Sequence, residues 1–221
     1  MVKNVVFDFG GIIILLDQTE AIRRFKQLGI ANIEEYLNIY GQKGVFKQLE
    51  IGEVSADEFS RILAKMAQEQ SGAFEGVENP AFTFEEMKYA WMGYVKKIPI
   101  ERFGYLEKLK ESYNVCLLSN INPYLMDWAR SSEFTPDGHS LDDYFDEFYL
   151  SYLMMDYKPS ETIFQKMLDE GGMKPEETIF LDDAPRNCET AQKLGIHTIL
   201  VGEDEDWRPK LDKMLSELNK K

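Results

Sequence analysis

The stretch Val2-Lys3-Asn4-Val5-Val6-Phe7-Asp8-Phe9-Gly10-Gly11 is an apolar, β-branched and aromatic run that stops at paired glycines, and residues 12–16 then continue apolar. It reads as a strand closed by a turn, because a strand covered on both faces needs no alternation of apolar and polar residues. Such a strand carries Asp8 to its own C-terminal end. The pattern of the remaining 205 or so residues decides the kind of sheet it joins.

Asp17 and Glu20 have the spacing of a capping box, and Ala21, Phe25 and Leu28 before Gly29 trace one helical face. Helical spacing then persists to about residue 99. Ser55 with Glu58 opens Phe59, Ile62, Leu63 and Met66, and Thr83 with Glu86 opens Phe84, Met87, Trp91, Tyr94, Val95 and Ile98. Between them, residues 71–80 hold three Gly or Pro and read as a loop. Beyond Pro99 the pattern alternates. Helices are expected over 100–111, after Pro123, over 161–168 and over 187–194, with strands at 114–119, 145–152, 178–181 and 197–201 and a polar amphipathic helix at the end. Strands alternating with helices predict an α/β fold, a Rossmann-like parallel sheet with helices on both faces, interrupted early by a helical insertion with its own small core.

The chain has 221 residues, 44% hydrophobic and 29% charged, the composition of an ordinary globular protein. Lys and Arg total 25 against 39 Asp and Glu, a net charge of −14 that gives nucleic acid and anionic membranes no general attraction. A small phosphorylated molecule is repelled as well, unless a cation held among carboxylates offsets the field. No run approaches the roughly 20 apolar residues that span a bilayer. No charged, apolar and small-residue order marks a secretory leader, so a cytoplasmic location is expected. Cys116 and Cys188 lack CxxC spacing and read as reduced thiols, and His139 with His197 is too sparse a pair for a zinc site.

Ligands of open parallel sheets bind at the C-terminal strand ends. Four polar groups stand there: Asp8, Ser119-Asn120, Lys158-Pro159 and Asp182-Asp183. Singly, each reads as turn or cap chemistry, or as a solvated lysine before a helix. Together they arrive in one order, at strand ends that the topology gathers.

In these four segments, Val5-Val6-Phe7-Asp8-Phe9-Gly10-Gly11, Leu117-Leu118-Ser119-Asn120, Lys158-Pro159 and Phe180-Leu181-Asp182-Asp183, the sequence resembles the haloacid dehalogenase superfamily of hydrolases. The likeness covers nearly the whole chain. It is closer to the branch that contains α-glucose-1-phosphate phosphatase and the phosphatase domain of soluble epoxide hydrolases, through Ile51-Gly52-Glu53-Val54-Ser55 and the stretch from Asp182-Asp183 to Gly195-Ile196. The resemblance implies a hydrolase core domain at 1–16 and 99–221 and an inserted helical cap domain at 17–98. It implies Mg²⁺-dependent hydrolysis of a small phosphorylated metabolite, such as a sugar phosphate, through an aspartyl-phosphate on Asp8. Mg²⁺ would be held by Asp8, the Gly10 carbonyl and Asp183, with Asp182 in direct or water-bridged contact. Lys158 would pair with Asp8 and the phosphoryl group, while Ser119, Asn120 and nearby backbone amides hold phosphoryl oxygens.

Gly10 departs from the family, most of whose phosphatases place there a second Asp that protonates the leaving group. Three accounts remain: a leaving group good enough without help, such as an anomeric phosphate; a proton from a cap residue or water; or slow turnover. Gly10 also keeps two other readings open. A 2-haloacid dehalogenase needs no leaving-group proton, although three carboxylates facing one another argue for a cation that its chemistry does not require. A non-catalytic binding protein on a hydrolase fold would need none of Asp8, Lys158 and Asp183. The aromatic stripe Phe84, Trp91 and Tyr94 is assigned to the core of the helical segment and not to the site.

Overall fold

The computed structural model describes residues 1–38 and 41–220. In chain order its main elements are β1 (Asn4–Phe7), β2 (Leu15–Leu16), α1 (Gln18–Gln27), α2 (Gly44–Glu50), α3 (Ala56–Ser71), α4 (Phe84–Trp91), β3 (Val95–Lys97), α5 (Phe103–Lys110), β4 (Asn114–Ser119), α6 (Pro123–Ala129), β5 (Glu147–Leu150), the short α7 (Ser151–Met154), α8 (Glu161–Glu170), β6 (Thr178–Asp182), α9 (Pro185–Lys193), β7 (His197–Leu200) and α10 (Arg208–Leu218).

Five strands form one sheet in the order β5-β4-β1-β6-β7, every neighbouring pair parallel. Successive side chains of a strand face opposite ways. Val5, Phe7, Val115, Leu117, Ile179 and Leu181 accordingly join one buried cluster, while Val6, Cys116, Leu118 and Phe180 join another. The second cluster is roofed by Ile163, Phe164, Met167 and Leu168 of α8 and Ala191 of α9. Leu106 of α5 and Leu211 and Leu215 of α10 belong to the first. With helices over both faces, the strands need to be apolar throughout, which is the pattern read in the sequence. Chain order sends β4 to one side of β1 and β6 to the other. The crevice of an open α/β sheet therefore opens beyond the ends of β1, β4 and β6.

The helices between β2 and β3 stack around aromatic side chains. Phe46 lies edge-on to Phe25 and Phe59, at centroid distances of 5.3 and 5.0 Å, and Trp91 lies edge-on to Phe25 at 5.6 Å. This stack is continuous with the first sheet cluster, and Tyr124 on α6 packs against both Phe59 and Phe84.

Three local readings change. Helical spacing in the sequence runs through Tyr94, Val95 and Ile98, but α4 ends at Trp91, tightens into a 3-10 turn at Met92–Tyr94 and becomes β3. β3 pairs antiparallel with β2, Leu16 opposite Val95, so pairing outside the segment outweighs its internal periodicity. Asp17 caps α1 by accepting from Thr19 N–H at 2.8 Å, yet Glu20 closes no box because Arg23 and Arg24 take its carboxylate. The aromatic run over 145–152 is strand only at β5, since Ser151 turns inward to exchange hydrogen bonds with the Ile121 backbone. By contrast, Thr83 and Glu86 form a complete capping box.

Gly93 occurs where the 3-10 turn crosses α1. A Cβ there would lie 2.5 Å from the Ala21 backbone nitrogen and 2.8 Å from the Glu20 carbonyl carbon, atoms that a rigid helix cannot withdraw. Gly93→Ala is expected to cost about 1–3 kcal/mol, the usual penalty for overpacking, read as a lower urea midpoint at unchanged slope.

Candidate active site

Asp8 leaves β1 with its N–H still bonded to Leu181 O at 2.9 Å, so the sheet ladder fixes its backbone. Its Oδ1 accepts from Phe9 N–H at 2.7 Å and from the Lys158 ammonium at 2.9 Å, while Oδ2 has no hydrogen-bond partner among the described residues. Lys158 is 1% exposed and reaches Asp182 Oδ2 at 2.7 Å on its other side. A buried ammonium is tolerable only with such compensation.

Asn120 holds Lys158 in place. Its Oδ1 accepts from Lys158 N–H at 2.8 Å and its amide donates to Lys158 O at 2.9 Å. The Asn120 side chain, expected to touch substrate, is thus occupied by the Lys158 backbone. Asp182 is similarly committed. Oδ1 accepts from Ala184 N–H at 2.7 Å and Asn187 Nδ2 at 3.0 Å, and Oδ2 accepts from Asn187 as well as Lys158. A carboxylate offers about four lone-pair positions, and four donor contacts fill these. Asp183 carries no such load. Its carboxylate packs on Gly11, where a Cβ would lie 2.3 Å from Oδ2 at a φ of +75°, so both space and backbone conformation demand glycine.

The electrostatics follow from one ammonium facing three acids. Burial pushes the Asp8 carboxyl up to about 7, with Lys158 pulling it down and Asp182 and Asp183 pushing it further up. Burial and then Asp182 raise Asp183 to about 6. Burial disfavours the charge on Lys158, but Asp182 and Asp8 outweigh it and hold the amine above its ordinary value. One carboxylate oxygen from each of Asp8, Asp182 and Asp183 lies within 4.8 Å of the others. Hard oxygens in excess of local positive charge suit a divalent cation.

Asp8, Gly10, Ser119, Asn120, Lys158 and Asp183 line a single cleft of about 720 Å³, part of it open to solvent, and Asp182 lies buried beneath it. Ser119, almost wholly buried, lines this cleft at the end of β4. Opposite walls come from residues that the sequence did not single out for the site: Gln42, Glu50, Trp91, Tyr94 and Tyr157. Spacing alone assigns Trp91 and Tyr94 to core. They are buried, yet they also face the cleft, and the Trp91 indole N–H has no hydrogen-bond partner among the described residues. Nothing in their spacing distinguishes a core aromatic from one that borders a cavity. Glu50 carried one signal, an acid at an otherwise apolar helical position beside Leu49.

Replacing Lys158 by Met leaves Asp8 and Asp182 as unpaired buried acids, with an expected loss of about 3–5 kcal/mol at pH 8. A carboxyl whose folded pKa exceeds its unfolded value favours folding at low pH and loses that advantage as pH rises. Removing the ammonium raises Asp8 further above its value of about 7, so the deficit against the parent protein should be smaller at pH 5 than at pH 8 in urea unfolding.

A family profile described as haloacid dehalogenase-like hydrolase matches residues 128–201. D-ribitol-5-phosphate phosphatase of Bacteroides thetaiotaomicron is 38% identical over 216 residues, 98% of this chain and 100% of that protein. Among solved structures, a protein from Porphyromonas gingivalis described as a predicted HAD-like family hydrolase superposes with a TM-score of 0.86 at 41% identity, covering 97% of this chain and 98% of that one. A HAD family enzyme from Bacteroides thetaiotaomicron, solved with magnesium and inorganic phosphate, superposes at 0.78 with 34% identity over 94% of this chain and 98% of that one. With its strand-end residues gathered in one crevice and a relative of this identity along its full length, the chain belongs to the haloacid dehalogenase-like hydrolase family.

Proposed function

We propose that the protein is a Mg²⁺-dependent phosphatase acting on a small sugar or polyol phosphate, with Asp8 as covalent nucleophile. The observation that carries this reading is the division of labour on Asp8. Oδ1 is pinned by Lys158 and Phe9 N–H, which leaves Oδ2 unpaired in the cleft. A positioned oxygen of this kind is ready to attack phosphorus, provided the phosphoryl charge is neutralised.

Mg²⁺ would be held by Asp8, Asp183 and the Gly10 carbonyl, with Asp182, its oxygens already taken by Lys158, Asn187 and Ala184, adding negative charge from behind, and when bound it supplies charge neutralisation for the phosphoryl oxygens. The donor set fits it, being all oxygen and short of compensating cations. Lys158 offers its ammonium to a phosphoryl oxygen while keeping Asp8 ionised and oriented. The Ser119 hydroxyl and the Asn120 backbone amide would bind the remaining oxygens, and the committed Asn120 side chain keeps Lys158 from moving as charge shifts. Across the cleft, the Trp91 N–H and the Tyr94 and Tyr157 rings offer a polar and aromatic wall to a hydroxylated carbon chain. The relative named for D-ribitol 5-phosphate supports that substrate class.

Phosphate release from D-ribitol 5-phosphate, hexose phosphates and p-nitrophenyl phosphate tests this. Activity should require Mg²⁺, fall to background with a chelator, and drop roughly a thousandfold or more in Asp8→Asn. Chloride release from a 2-chloro acid without metal would contradict the proposal.

A further inference from the structure

We infer that Glu50, presented to the cleft from the last residue of α2, donates the proton that the leaving oxygen needs, the task for which Gly10 has no side chain. The inference rests on the phosphatase reading above. It begins with what occupies the space beside Gly10. A Cβ at position 10 would lie 2.7 Å from Leu16 Cδ1, so an aliphatic side chain fills the place from which an acid could have reached the leaving group. On the sheet side of the cleft, Asp8 and Asp182 are bound to Lys158, and Asp183 belongs to the cation site. Each of these acids is already engaged on that wall.

Glu50 lies on the opposite wall of the same cleft and is 5% exposed. No lysine or arginine pairs with it among the described residues, in contrast to Asp8 and Asp182, which share Lys158. The Gln42 side chain lies beside it and acts against the effect of burial. Gln42 Oε1 already accepts from the Tyr94 hydroxyl at 3.3 Å and from Asn38 N–H at 3.0 Å, so the Gln42 amide group faces Glu50 as donor. The titratable groups that bear on Glu50 are Asp8 from β1, Tyr94 after α4 and Tyr157 before Lys158, each neutral or negative. Of the cations nearby, Lys47, one turn earlier on α2, lies over the Tyr157 ring 5.6 Å from its centroid, and Lys158 is taken up by Asp8 and Asp182. A buried carboxyl in such surroundings holds its proton: burial first raises it well above the ordinary value, Gln42 opposes this only in part, and Asp8 adds to it.

The turn that succeeds α2 keeps this acid in position. Gly52 has a φ of +76°, and a Cβ there would lie 2.3 Å from Tyr152 O on α7, so the turn sits directly on the sheet-bearing part of the molecule. The Tyr124 hydroxyl donates to Ala56 O at 2.7 Å beside it. Glu50 is therefore fixed relative to Asp8 by contacts that do not involve the cleft.

In the first step Asp8 Oδ2 forms a bond to phosphorus as the ester P–O bond breaks, and the departing oxygen takes its proton from Glu50, which becomes a carboxylate. In the second step water attacks phosphorus and gives a proton to Glu50, the Asp8–phosphorus bond breaks, and phosphate leaves with both side chains restored. Water and ester are consumed, alcohol and phosphate are formed, and no further reactant is needed.

The leaving group provides the test. An alkoxide needs a proton to depart, whereas p-nitrophenolate does not. With Mg²⁺ present, Glu50→Gln should lower kcat/KM on D-ribitol 5-phosphate by about 100- to 10,000-fold, and on p-nitrophenyl phosphate by a factor at least ten times smaller. Equal losses on both esters, or no loss on either, would overturn the assignment of Glu50. Should the variant fail to fold, kcat/KM of the wild-type protein across aryl and alkyl phosphates serves instead. A shallow dependence on leaving-group basicity supports a proton donor in the cleft, and a steep one overturns it. A wild-type protein inert toward every ester would overturn the phosphatase reading itself, a result distinct from an active enzyme indifferent to Glu50.

Discussion

A single ammonium, Lys158, sits sealed from solvent between Asp8 at 2.9 Å and Asp182 at 2.7 Å, and much of the architecture exists to satisfy it. Ions taken from water lose solvation worth several kcal/mol each, and only short, well-aligned partners restore it. Asp8 comes from the end of β1, Asp182 from the end of β6, and the lysine itself from the loop beyond β5, clamped by Asn120 from the end of β4. The contact can form only when these strands lie in the order observed. Fold and site are thus one constraint, since the sheet places the charges and the charges tie its strand ends together.

The chemistry is divided between two walls. The sheet side carries charge: an Asp8 oxygen without a hydrogen-bond partner among the described residues, an ammonium beside it and acids short of cations. The helical side carries neutral polar groups on an aromatic stack, Gln42 and Glu50 on one part and Trp91 and Tyr94 on another. A carboxyl holds its proton best away from cations, and a cation close to Glu50 would pull its proton away. Leu16 beside Gly10 completes the separation by placing methyl groups where a side chain at position 10 would otherwise extend.

The strand ends were legible because their signal is local. Continuous apolar runs mark strands buried on both faces, and the residue that breaks each run stands at the crevice; β4 falls where it was expected, and Asp8, Ser119, Lys158 and Asp183 meet in one cleft. What could not be read depends on contacts between distant segments. Val95 keeps helical spacing with Trp91 and still pairs with Leu16, because the partner strand lies about 80 residues earlier in the chain. Asn120 occurs in the expected motif, but only its reciprocal bonds to Lys158 reveal that it positions the lysine. Glu50, Trp91 and Tyr94 look like any residues of an amphipathic helix until the helices are docked over the sheet.

The central claim is that Asp8 itself becomes phosphorylated. Rapid acid quench of the Mg²⁺-loaded protein during turnover of a ³²P-labelled sugar phosphate, followed by peptide mapping, tests it most directly. The predicted result is acid-stable, hydroxylamine-labile label on the peptide that contains Asp8, and none in Asp8→Asn. Turnover of the ester with no labelled protein at any quench time, or label on another residue, would contradict it.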